Sequence, residues 1–508
     1  MSRSSSNNTS LSSDDEYYGD NGEEFRGSIL NNKYALIDKI GYGSYSSVWL
    51  AYSIGDNKFY AIKIQNAEDY DEGLVELRVL RKIKELNNDK MIHMIEGFEI
   101  IKKENIKKKI RKGKKTFVKK IVEVRKFICM VLPLMAGSVY SLIREGKYKN
   151  GLDDKLTMDS INTILYSVND LHNKLRVCHT DLKPENMLIS GMSVKVNELI
   201  DDYSKINLKQ IYEHKLNEEL QDKNWNKQSN SYKKKVRKLK TKILRQCHNS
   251  ILDNMIILSE SEESDSECNS VNESSDSEEE EKEEKEDKDN IFEKILKNND
   301  ENDNDTVSSS SSELDTESSS ESVNRNDNFS VIEDKYLESC KIVLTDFGSN
   351  LKIRELDDEE IQTRYYRAPE VILNLHYTEK IDIWSIGCIL YEIYTGRILF
   401  DPDKDKDFSR DFHHLFLIEE ICGKIPKELA KRSPRKKEFF KNSKLNCSKA
   451  RNNIDLNGLI NKQESKVNNL VVDLIKKCLI INPKERPTIA ELINYSDEYR
   501  KNNFCKTV

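Results

Sequence analysis

The chain has 508 residues, a net charge of -7 and a mean hydropathy of -0.72, and 34% of its residues are charged. This length allows two lobes or domains, and this polarity predicts long solvated segments beside a smaller core. The ten cysteines form no C-x-x-C pair, so the sequence favours free thiols in a reducing compartment and excludes a structural zinc site.

No segment has the composition of an export signal, and no apolar run approaches the ~18–20 residues that a membrane span requires. We therefore expect an intracellular protein without a membrane partner, located in the cytoplasm and with the nucleus as an alternative. The first residues are rich in Ser, Asn and Asp, and we expect a disordered N-terminal segment over 1–33.

Strand patterns begin at Tyr34, where YALIDKI, LAYSI and KFYAIKI are rich in alternating, β-branched and aromatic residues. Gly41 and Gly43 lie between the first two of these segments. They predict a tight hairpin whose backbone can approach phosphate groups closely. The same Gly-x-Gly-x-x-Ser pattern, taken alone, is equally compatible with a simple β-turn.

A charged pair is predicted between the third strand and the helix that follows it. Lys63 lies between Ile62 and Ile64, and a lysine among apolar neighbours needs a charge partner, although an edge-strand lysine can also reach solvent. The segment DEGLVELRVLRKIKEL has apolar residues at helical spacing. Glu76 on this helix is the predicted partner and Glu72 is the alternative. Either residue could instead be an ordinary helix glutamate that faces solvent.

Residues 102–126 are strongly basic. The segment could be helical or a hairpin, and we favour an elongated, solvated connection between two strands. The alternative is an electrostatic patch for nucleic acid, for an acidic partner or for the chain's own acidic run at 259–288. Phe117 is the single aromatic residue of the segment, which gives little support for base stacking, so nucleic acid is not expected as a partner.

The stretch HTDLKPENML, residues 179–188, brings an acid, a lysine and an amide together. Phosphoryl transfer depends mostly on positioning and electrostatic stabilisation, which these three groups can supply. Asp181 would orient the attacking hydroxyl and accept its proton, Lys183 would steady the transferring phosphoryl group, and Asn186 would help to hold a magnesium ion. An ordinary polar loop is the plain alternative.

After Ser190 this pattern stops, and it resumes at KIVLTDFGSN, residues 341–350. The intervening ~150 residues far exceed the ~12–15 residues at which a structureless loop becomes unusual. We predict an insert over 192–337 that is Lys/Asn-rich at first and then acidic and Ser-rich. Such a composition buries too little apolar surface to fold, so we expect disorder, and we expect catalysis to survive deletion of 195–335.

These motifs, together with Ala-Pro-Glu at 368–370, resemble those of the eukaryotic protein kinases, in the same order, over 34–190 and 338–495. The resemblance implies an α+β fold with a small β-rich N-lobe and a larger helical C-lobe over 34–504, and the use of ATP and Mg²⁺. The form DLKPEN is that of serine/threonine kinases. The implied ATP-binding residues are Ile40, Gly41, Tyr42, Gly43, Ser44, Tyr45, Ser46, Ser47, Val48, Lys63, Glu76, the gatekeeper Leu132 and the hinge residue Met135.

The resemblance also assigns residues to the metal and to the support of the loops. Asn186 and Asp346 would bind the metal ion. Glu370 would form a buried ion pair with Arg486, and Asp382 would hold the catalytic loop through backbone hydrogen bonds. Taken singly, such residues are more often capping or surface residues.

The activation segment carries its own charges. Thr180 stands where many regulated kinases have an arginine that binds an activation-loop phosphate. Glu360 occupies the place of a phosphotyrosine in related kinases, and Thr363, Arg364 and Arg367 follow it closely in sequence. We therefore expect an activation segment that is ordered without phosphorylation.

The subgroup is indicated by three features: His-Thr-Asp at 179–181, the acidic insert and Ile-Gln-Thr-Arg at 361–364. They resemble the SR-protein kinases of the CMGC group, which phosphorylate serines in arginine/serine repeats. Asp-Phe-Gly-Ser at 346–349 and Ala-Pro-Glu look more like the LAMMER and dual-specificity kinases, which are the alternative. The resemblance implies a monomer with Arg/Ser-containing protein substrates. A scaffold pseudokinase is disfavoured because the catalytic and ATP-binding positions are all filled.

Aligned on the acidic substrate groove of that family, the chain keeps Glu420 but places Arg397 and His413 where the family tends to have aspartates. A cation in such a groove repels a substrate arginine. We therefore expect weaker binding of long arginine/serine tracts, partly compensated by the nearby acids Asp401, Asp403 and Asp411.

Overall fold

The computed structural model describes residues 24–43, 45–112, 115–144, 148–221, 230–265, 332, 334–337, 341–353, 361–404, 408–447, 454–460, 462 and 465–504. These residues form a small lobe built on a β-sheet and a larger, mostly helical lobe, as the sequence predicts. Within these ranges, every helix is either too short or too polar to cross a membrane.

The N-lobe is an antiparallel sheet with one crossing helix, α1 (Tyr70–Leu86). Its strands are β1 (Ile29–Leu30), β2 (Tyr34–Gly43), β3 (Ser46–Ser53), β4 (Lys58–Gln65), β5 (Glu96–Lys112) and β6 (Lys115–Leu132). They lie in the order β1-β2-β3-β4-β6-β5. Helix α1 buries Leu77, Leu80 and Ile83, which share one face at helical spacing, and packs against β6.

The C-lobe carries most of the remaining elements, apart from three helices of the insert that are described below. Its strands are β7 (Met135–Ser138), β8 (Val177–Cys178), β9 (Met187–Ser190), β10 (Ile342–Leu344), β11 (Leu351–Lys352), β12 (Phe440–Lys441) and β13 (Lys444–Leu445). Its helices are α2 (Val139–Arg144), α3 (Asp154–Asn169), α7 (Asp334–Leu337), α8 (Pro369–Ile372), α9 (Lys380–Thr395), α10 (Arg410–Cys422), α11 (Lys427–Arg432), α12 (Lys436–Phe439), α13 (Leu456–Ile460), α14 (Lys466–Cys478) and α15 (Ile489–Asn503).

Helix α9 is the centre of the C-lobe. Every residue from Ile381 to Thr395 is buried, as expected of a helix that is enclosed on all sides. Gly387 allows the end of α14 to approach, because a Cβ there would lie 2.8 Å from side-chain atoms of Cys478 and Leu479. The first turn of α9 therefore has a rigid position beneath the loops that precede β9.

The segment just before β2 is folded, which corrects the prediction of disorder over 1–33. Phe25 is 2% exposed and meets Trp49 and Phe127 edge-on, with ring centroids 6.2 and 5.3 Å apart. Strand β1 then pairs with β2. The polar composition of the first 33 residues hides these few apolar positions. The disorder expected for residues 1–23 lies outside the described residues.

The insert also contains folded structure, so the prediction of disorder throughout 192–337 is wrong. Residues that we expected to be unstructured form three helices, α4 (Val194–Ser204), α5 (Leu208–Gln221) and α6 (Asn230–Asp265). The apolar residues that these helices bury pack against Ala35, Ile37 and Leu50 of β2 and β3; among them are Val196, Tyr203, Ile211, Ile243, Cys247 and Ile251. Residues 266–331 lie outside the described part of the chain.

A buried histidine fastens α6 to the sheet. His248 is fully enclosed; its Nε2 lies 2.9 Å from the carbonyl oxygen of Leu36, and its Nδ1 lies 2.9 Å from the hydroxyl of Tyr203. A neutral imidazole satisfies both contacts, because Nε2–H donates to the carbonyl and Nδ1 accepts from the hydroxyl. Burial lowers the pKa of His248 from 6.5 to about 4.

This lowered pKa predicts that acid weakens the packing of α6. Between pH 6.5 and 4 the unfolded chain binds more protons at His248 than the folded chain does, so stability falls as the pH falls. The loss between pH 7 and pH 5 should be about 2 kcal/mol. Urea unfolding at both pH values should show that His248→Gln removes most of this loss. His413→Gln is the matched control; an equal pH dependence in parent and His248→Gln would contradict the assignment.

The basic segment 102–126 is a hairpin, one of the two conformations that the sequence leaves open, and its residues are paired rather than forming an irregular loop. Strands β5 and β6 pair without interruption from Glu96 opposite Val131 to Lys112 opposite Lys115. Strand β4 pairs with β6 only between Cys129 and Leu132. The pairs beyond this point therefore form a two-stranded ribbon, which we call the basic ribbon (residues 102–112 and 115–126). Its many lysines hide the alternation that normally reveals a strand.

Candidate active site

Lys63 of β4 is the charged centre of the cleft between the lobes. Its Nζ lies 2.9 Å from both carboxylate oxygens of Glu76 and 2.9 Å from Oδ1 of Asp346. The predicted pair with Glu76 is therefore present, and the alternative partner Glu72 is not used. Burial alone would lower the pKa of Lys63, but the two carboxylates outweigh it and raise that pKa, so the lysine stays charged.

The two carboxylates around Lys63 differ in their electrostatics. Burial raises the pKa of Glu76 in spite of the nearby ammonium group. Burial would also raise the pKa of Asp346, but Lys63 holds that pKa below its usual range. Asp346 is therefore ionised and, with its side chain 42% exposed, accessible from the cleft.

The glycine-rich hairpin between β2 and β3 is open on the side of its glycines. Gly41 pairs with Val48 and Gly43 with Ser46. A Cβ at Gly43 would meet no protein atom within 4 Å, and one at Gly41 would meet Val48 at 3.6 Å. Packing within the protein therefore does not require either glycine. The space suits a phosphate chain that approaches the backbone closely.

The other predicted ATP-binding residues of the hairpin have mixed surroundings. Those that are at least partly exposed are Ile40, Tyr42, Tyr45, Ser46 and Val48. Ser47 is buried, and its hydroxyl accepts a hydrogen bond from Nε1 of Trp49 at 2.9 Å, so its side chain serves packing. Ser44 lies outside the described residues.

The predicted gatekeeper and hinge lie where the lobes join. Leu132 is the last residue of β6 and is 8% exposed. Met135 is the first residue of β7 and is half-buried. Pro133, between them, has no backbone N–H, which removes one hydrogen-bond donor from this connection. The contact of this connection with adenine stays a prediction.

The catalytic loop holds Asp181 by both carboxylate oxygens. Lys183 Nζ donates to Oδ2 at 2.6 Å, and the hydroxyl of Thr363 donates to Oδ1 at 2.6 Å. Burial alone would lower the pKa of Lys183, but Asp181 outweighs burial and raises that pKa, which keeps the ammonium charged. The loop thus presents an oriented carboxylate beside a fixed cation.

The catalytic loop and the Asp-Phe-Gly segment meet through the pairing of β9 with β10. Leu344 lies opposite Met187, and the backbone N–H of Thr345 donates to the carbonyl oxygen of Asn186 at 2.9 Å. The amide nitrogen of Asn186 donates to the carbonyl of Asp181 at 2.8 Å, which leaves the amide oxygen for a cation. That oxygen and the carboxylate of Asp346 are of the type that Mg²⁺ prefers, so these residues fit a divalent ion.

Asp382 fixes the backbone of the catalytic loop from below, as predicted. It accepts hydrogen bonds from the backbone N–H groups of His179 and Thr180 at 2.8 and 3.0 Å, and it contacts His172 Nε2 at 2.7 Å. Thr180 has a φ of 66°, which is uncommon for a β-branched residue. In this conformation its hydroxyl donates to the carbonyl of Ser349 at 2.6 Å, which ties the catalytic loop to the segment after Asp346.

Gln362 fastens the activation segment to α9. Its Nε2 donates to the carbonyl of Ile381 at 3.0 Å and to the hydroxyl of Ser385 at 2.8 Å, and its Oε1 accepts from the N–H of Ala368 at 3.0 Å. Arg367 donates to the backbone carbonyl of Gln362 at 2.9 Å. These buried contacts hold residues 362–368 in one conformation.

Arg364 is anchored in the C-lobe. It forms an ion pair with Asp411, whose other oxygen accepts from Arg435 at 2.7 Å. Burial would raise the pKa of Asp411, but the two guanidinium groups lower it. Glu360 lies outside the described residues, so its expected attraction to Arg364 and Arg367 stays a prediction.

The predicted ion pair at the base of the C-lobe is present. Arg486 donates from Nη1 and Nη2 to the two carboxylate oxygens of Glu370 at 2.7 and 3.0 Å, and both side chains are fully buried. Such a bidentate pair fixes geometry as well as charge. It holds the end of the activation segment against the turn before α15.

Sequence reasoning missed the contacts of two residues of the site. Thr363 was expected in the activation segment, without a partner in the catalytic loop, yet its hydroxyl bonds Asp181. Gln362 was only part of a family motif, yet it makes three buried side-chain bonds. The Thr363 bond joins residues 182 positions apart, and the Gln362 bonds depend on how the segment after Gln362 folds back onto α9, so local patterns give no signal for them.

Comparison with known proteins agrees with this geometry. The protein kinase domain family matches residues 34–203 and 328–496. A protein of Acanthamoeba polyphaga mimivirus that is named as a serine/threonine-protein kinase is 31% identical over 441 residues, which is 82% of this chain and 77% of that protein. SRSF protein kinase 3 of Mus musculus is 24% identical over 452 residues, 82% of this chain and 76% of that protein.

The similarity to a dual-specificity kinase, which represents the alternative subgroup, covers less of the chain. A dual specificity protein kinase of Schizosaccharomyces pombe is 34% identical, but over 173 residues, or 31% of this chain. The similarity to SRSF protein kinases extends over most of the chain. The chain therefore belongs to the protein kinase domain family and is a serine/threonine protein kinase of the CMGC type that is similar to the SR-protein kinases.

Proposed function

We propose that Asp181 is the general base of this kinase. The observation that carries the assignment is the double restraint on its carboxylate, by Lys183 at 2.6 Å and Thr363 at 2.6 Å. A carboxylate held in this way can orient a serine or threonine hydroxyl and accept its proton. The hydroxyl oxygen forms the new bond to the γ-phosphorus, the bond from that phosphorus to the β–γ bridging oxygen breaks, and ADP leaves.

The phosphates of ATP would lie between the glycine-rich hairpin and the cleft. Lys63 is charged and exposed enough to reach them, because its side chain is 14% exposed towards the cleft beside Glu76 and Asp346. Asn186 and Asp346 would hold the divalent ion, which we propose to be Mg²⁺. When bound, that ion neutralises charge on the phosphate oxygens. The protein supplies the fixed positions of the base and the cations.

We also propose that the substrates are proteins with serines beside arginines. The support is the similarity to the proteins named SRSF protein kinases. The C-lobe surface indicates a modest affinity for such arginine-containing substrates. Arg397 is exposed and donates to the carbonyl of Leu459 at 2.7 Å, which holds a cation at this surface. Asp411, expected to compensate in part, is already bound by Arg364 and Arg435.

The substrate proposal predicts a ranking of peptides. The test uses three peptides of equal length, with Arg-Ser, Lys-Ser or Asp-Ser repeats. The Arg-Ser peptide should have the highest kcat/KM, because carboxylates of the substrate groove expected from the resemblance would bind the guanidinium groups of the peptide in bidentate fashion. Arg397→Asp should lower its KM several-fold, and added salt should reverse the gain. Arg410→Asp, an exposed cation of α10, is the control. Preference for the Asp-Ser peptide, or an unchanged KM in Arg397→Asp, would refute the proposal.

The kinase should be active without phosphorylation of its activation segment. Gln362, Thr363 and Arg364 already hold this segment against α9, Asp181 and Asp411. Freshly purified protein treated with phosphatase should therefore keep its kcat. Asp411→Asn should lower kcat, since it leaves Arg364 and Arg435 facing each other without their shared carboxylate. Loss of activity after phosphatase, with recovery on incubation with ATP, would contradict this account.

A further inference from the structure

The basic ribbon carries a charge pattern that disfavours its own pairing. Residues 102–126 contain 13 Lys and Arg residues against two glutamates. In the register of β5 and β6, four pairs place one cationic residue directly opposite another: Lys102 opposite Arg125, Lys107 opposite Lys120, Lys108 opposite Lys119, and Lys112 opposite Lys115. Like charges directly across a strand pair are destabilising.

The ribbon also extends beyond the support of the sheet. From position 102 to its turn it runs about 35 Å, at ~3.3 Å per residue. A two-stranded ribbon without a third strand or a helix is marginal in water. A polyanion along its length would remove the repulsion, so charge and topology both point to an acidic partner.

The path of α6 brings such a partner to the base of the ribbon. The hydroxyl of Thr241 bonds Oδ1 of Asn32 at 3.2 Å. Two turns later Asn249 lies beside Gly27, where a Cβ would come within 2.8 Å of its Oδ1. The segment before Gly27 then reaches the ribbon, because Lys102 Nζ lies 3.7 Å from the centre of the Phe25 ring. Helix α6 thus runs from the β1–β2 turn towards the base of the ribbon.

The chain continues from α6 into its acidic run. Residues 259–288 contain 15 Asp and Glu residues against three lysines, and this run begins within the last turns of α6, which ends at Asp265. The basic ribbon and the acidic run have net charges of opposite sign and similar magnitude. We propose that the acidic run 259–288 docks on the basic ribbon of the same molecule and that the ribbon is therefore shielded from other polyanions.

Carbodiimide coupling in the full chain tests this contact, since it joins a lysine directly to a touching carboxylate. Mass spectrometry should find links between the acidic run and Lys107, Lys108, Lys119 or Lys120, in a yield that does not depend on protein concentration and that falls in ~1 M salt. Replacing these four lysines by glutamine should abolish the coupling. Replacing Lys233, Lys234, Lys238 and Lys242 on α6 is the matched control and should leave the links in place.

A second measurement distinguishes the acidic run of the same molecule from other polyanions as the partner of the basic ribbon. A fluorescent peptide of residues 259–288 should bind the full chain at least about tenfold more weakly than it binds a full-length variant in which Glu278–Glu281, Glu283 and Glu284 are glutamines, because a tethered segment competes at an effective concentration near millimolar. Phosphotransfer by each variant shows that it is folded. Equal peptide binding, links to α6 instead of the ribbon, or tight binding of single-stranded RNA by the parent chain at physiological salt would overturn the proposal.

Discussion

Replacing Asp181 by asparagine is expected to lower kcat by about 10²–10⁴-fold and to leave the fold intact. Asparagine keeps an oxygen that can accept the hydrogen bond from Thr363, so the loop keeps its geometry. It cannot accept the proton of a substrate hydroxyl, which is the role proposed for the carboxylate. Initial rates of phosphate transfer to an Arg-Ser peptide at saturating ATP measure this loss, and thermal unfolding verifies the fold.

Two further substitutions make the assignment specific. Lys63→Met should reduce activity by a similar factor, because Lys63 joins Glu76 and Asp346 in the cleft. Lys58→Met changes an exposed lysine at the start of the same strand and should be harmless. Glu76→Gln should be far more damaging than Glu72→Gln. If Asp181→Asn stayed within a few-fold of the parent, or the two control variants lost as much activity as their partners, the proposed roles would be wrong.

Removing residues 266–331 alone and removing the whole insert from residue 194 are expected to have different effects. A flexible linker in place of residues 266–331 should leave phosphotransfer unchanged. Deletion of 194–331 should instead leave an insoluble or inactive chain, although its ends are already adjacent, because Ser193 pairs with Ile332. The physical reason is the cluster between α4, α6 and the sheet, whose loss would expose Ala35, Ile37 and Leu50 in the strands of the glycine-rich hairpin.

A point substitution tests the same packing on a finer scale. Ile251 of α6 is fully buried against the sheet, so Ile251→Ala should lower the free energy of unfolding by about 2–5 kcal/mol. Arg245→Ala, on the exposed side of α6, should have little effect. Urea unfolding at neutral pH makes the comparison. Full activity of the chain that lacks 194–331 would contradict this account and restore the original expectation that the whole insert is dispensable.

The sequence predicted the site well where chemistry is carried by short stretches. Asp181, Lys183 and Asn186 lie within six residues of one another, and their types alone indicate phosphoryl transfer. Lys63 and Glu76 were paired because both stand among apolar residues on elements of clear periodicity. The pairing of Glu370 with Arg486 was implied by family resemblance, since 116 residues separate them.

The insert helices were missed for a compositional reason. Their apolar residues are few among many lysines and asparagines, so an average over 192–337 reads as disorder. The spacing of Ile243, Cys247 and Ile251 is nevertheless helical, and a helix that meets a waiting apolar sheet needs only such a stripe. A reading in windows of two or three turns would have found it.

The contacts of Thr180 and Gln362 depend on backbone conformation. Thr180 and Gln362 both have φ near +65°, at 66° and 67°, a region that sequence patterns rarely indicate for residues other than glycine. Each is held there by buried hydrogen bonds to or near α9. Such conformations follow from the assembled tertiary structure, which local sequence does not contain.

The most direct test of the account is transfer of labelled phosphate from ATP to an Arg-Ser repeat peptide by phosphatase-treated, full-length protein, with and without Mg²⁺. We expect phosphoserine to form only when Mg²⁺ is present, and the Asp181→Asn variant to form almost none. A folded parent protein that transferred no phosphate to this peptide, to a basic protein or to an acidic peptide would contradict the account, because the restrained carboxylate and its neighbouring cations would then not be a working catalytic centre.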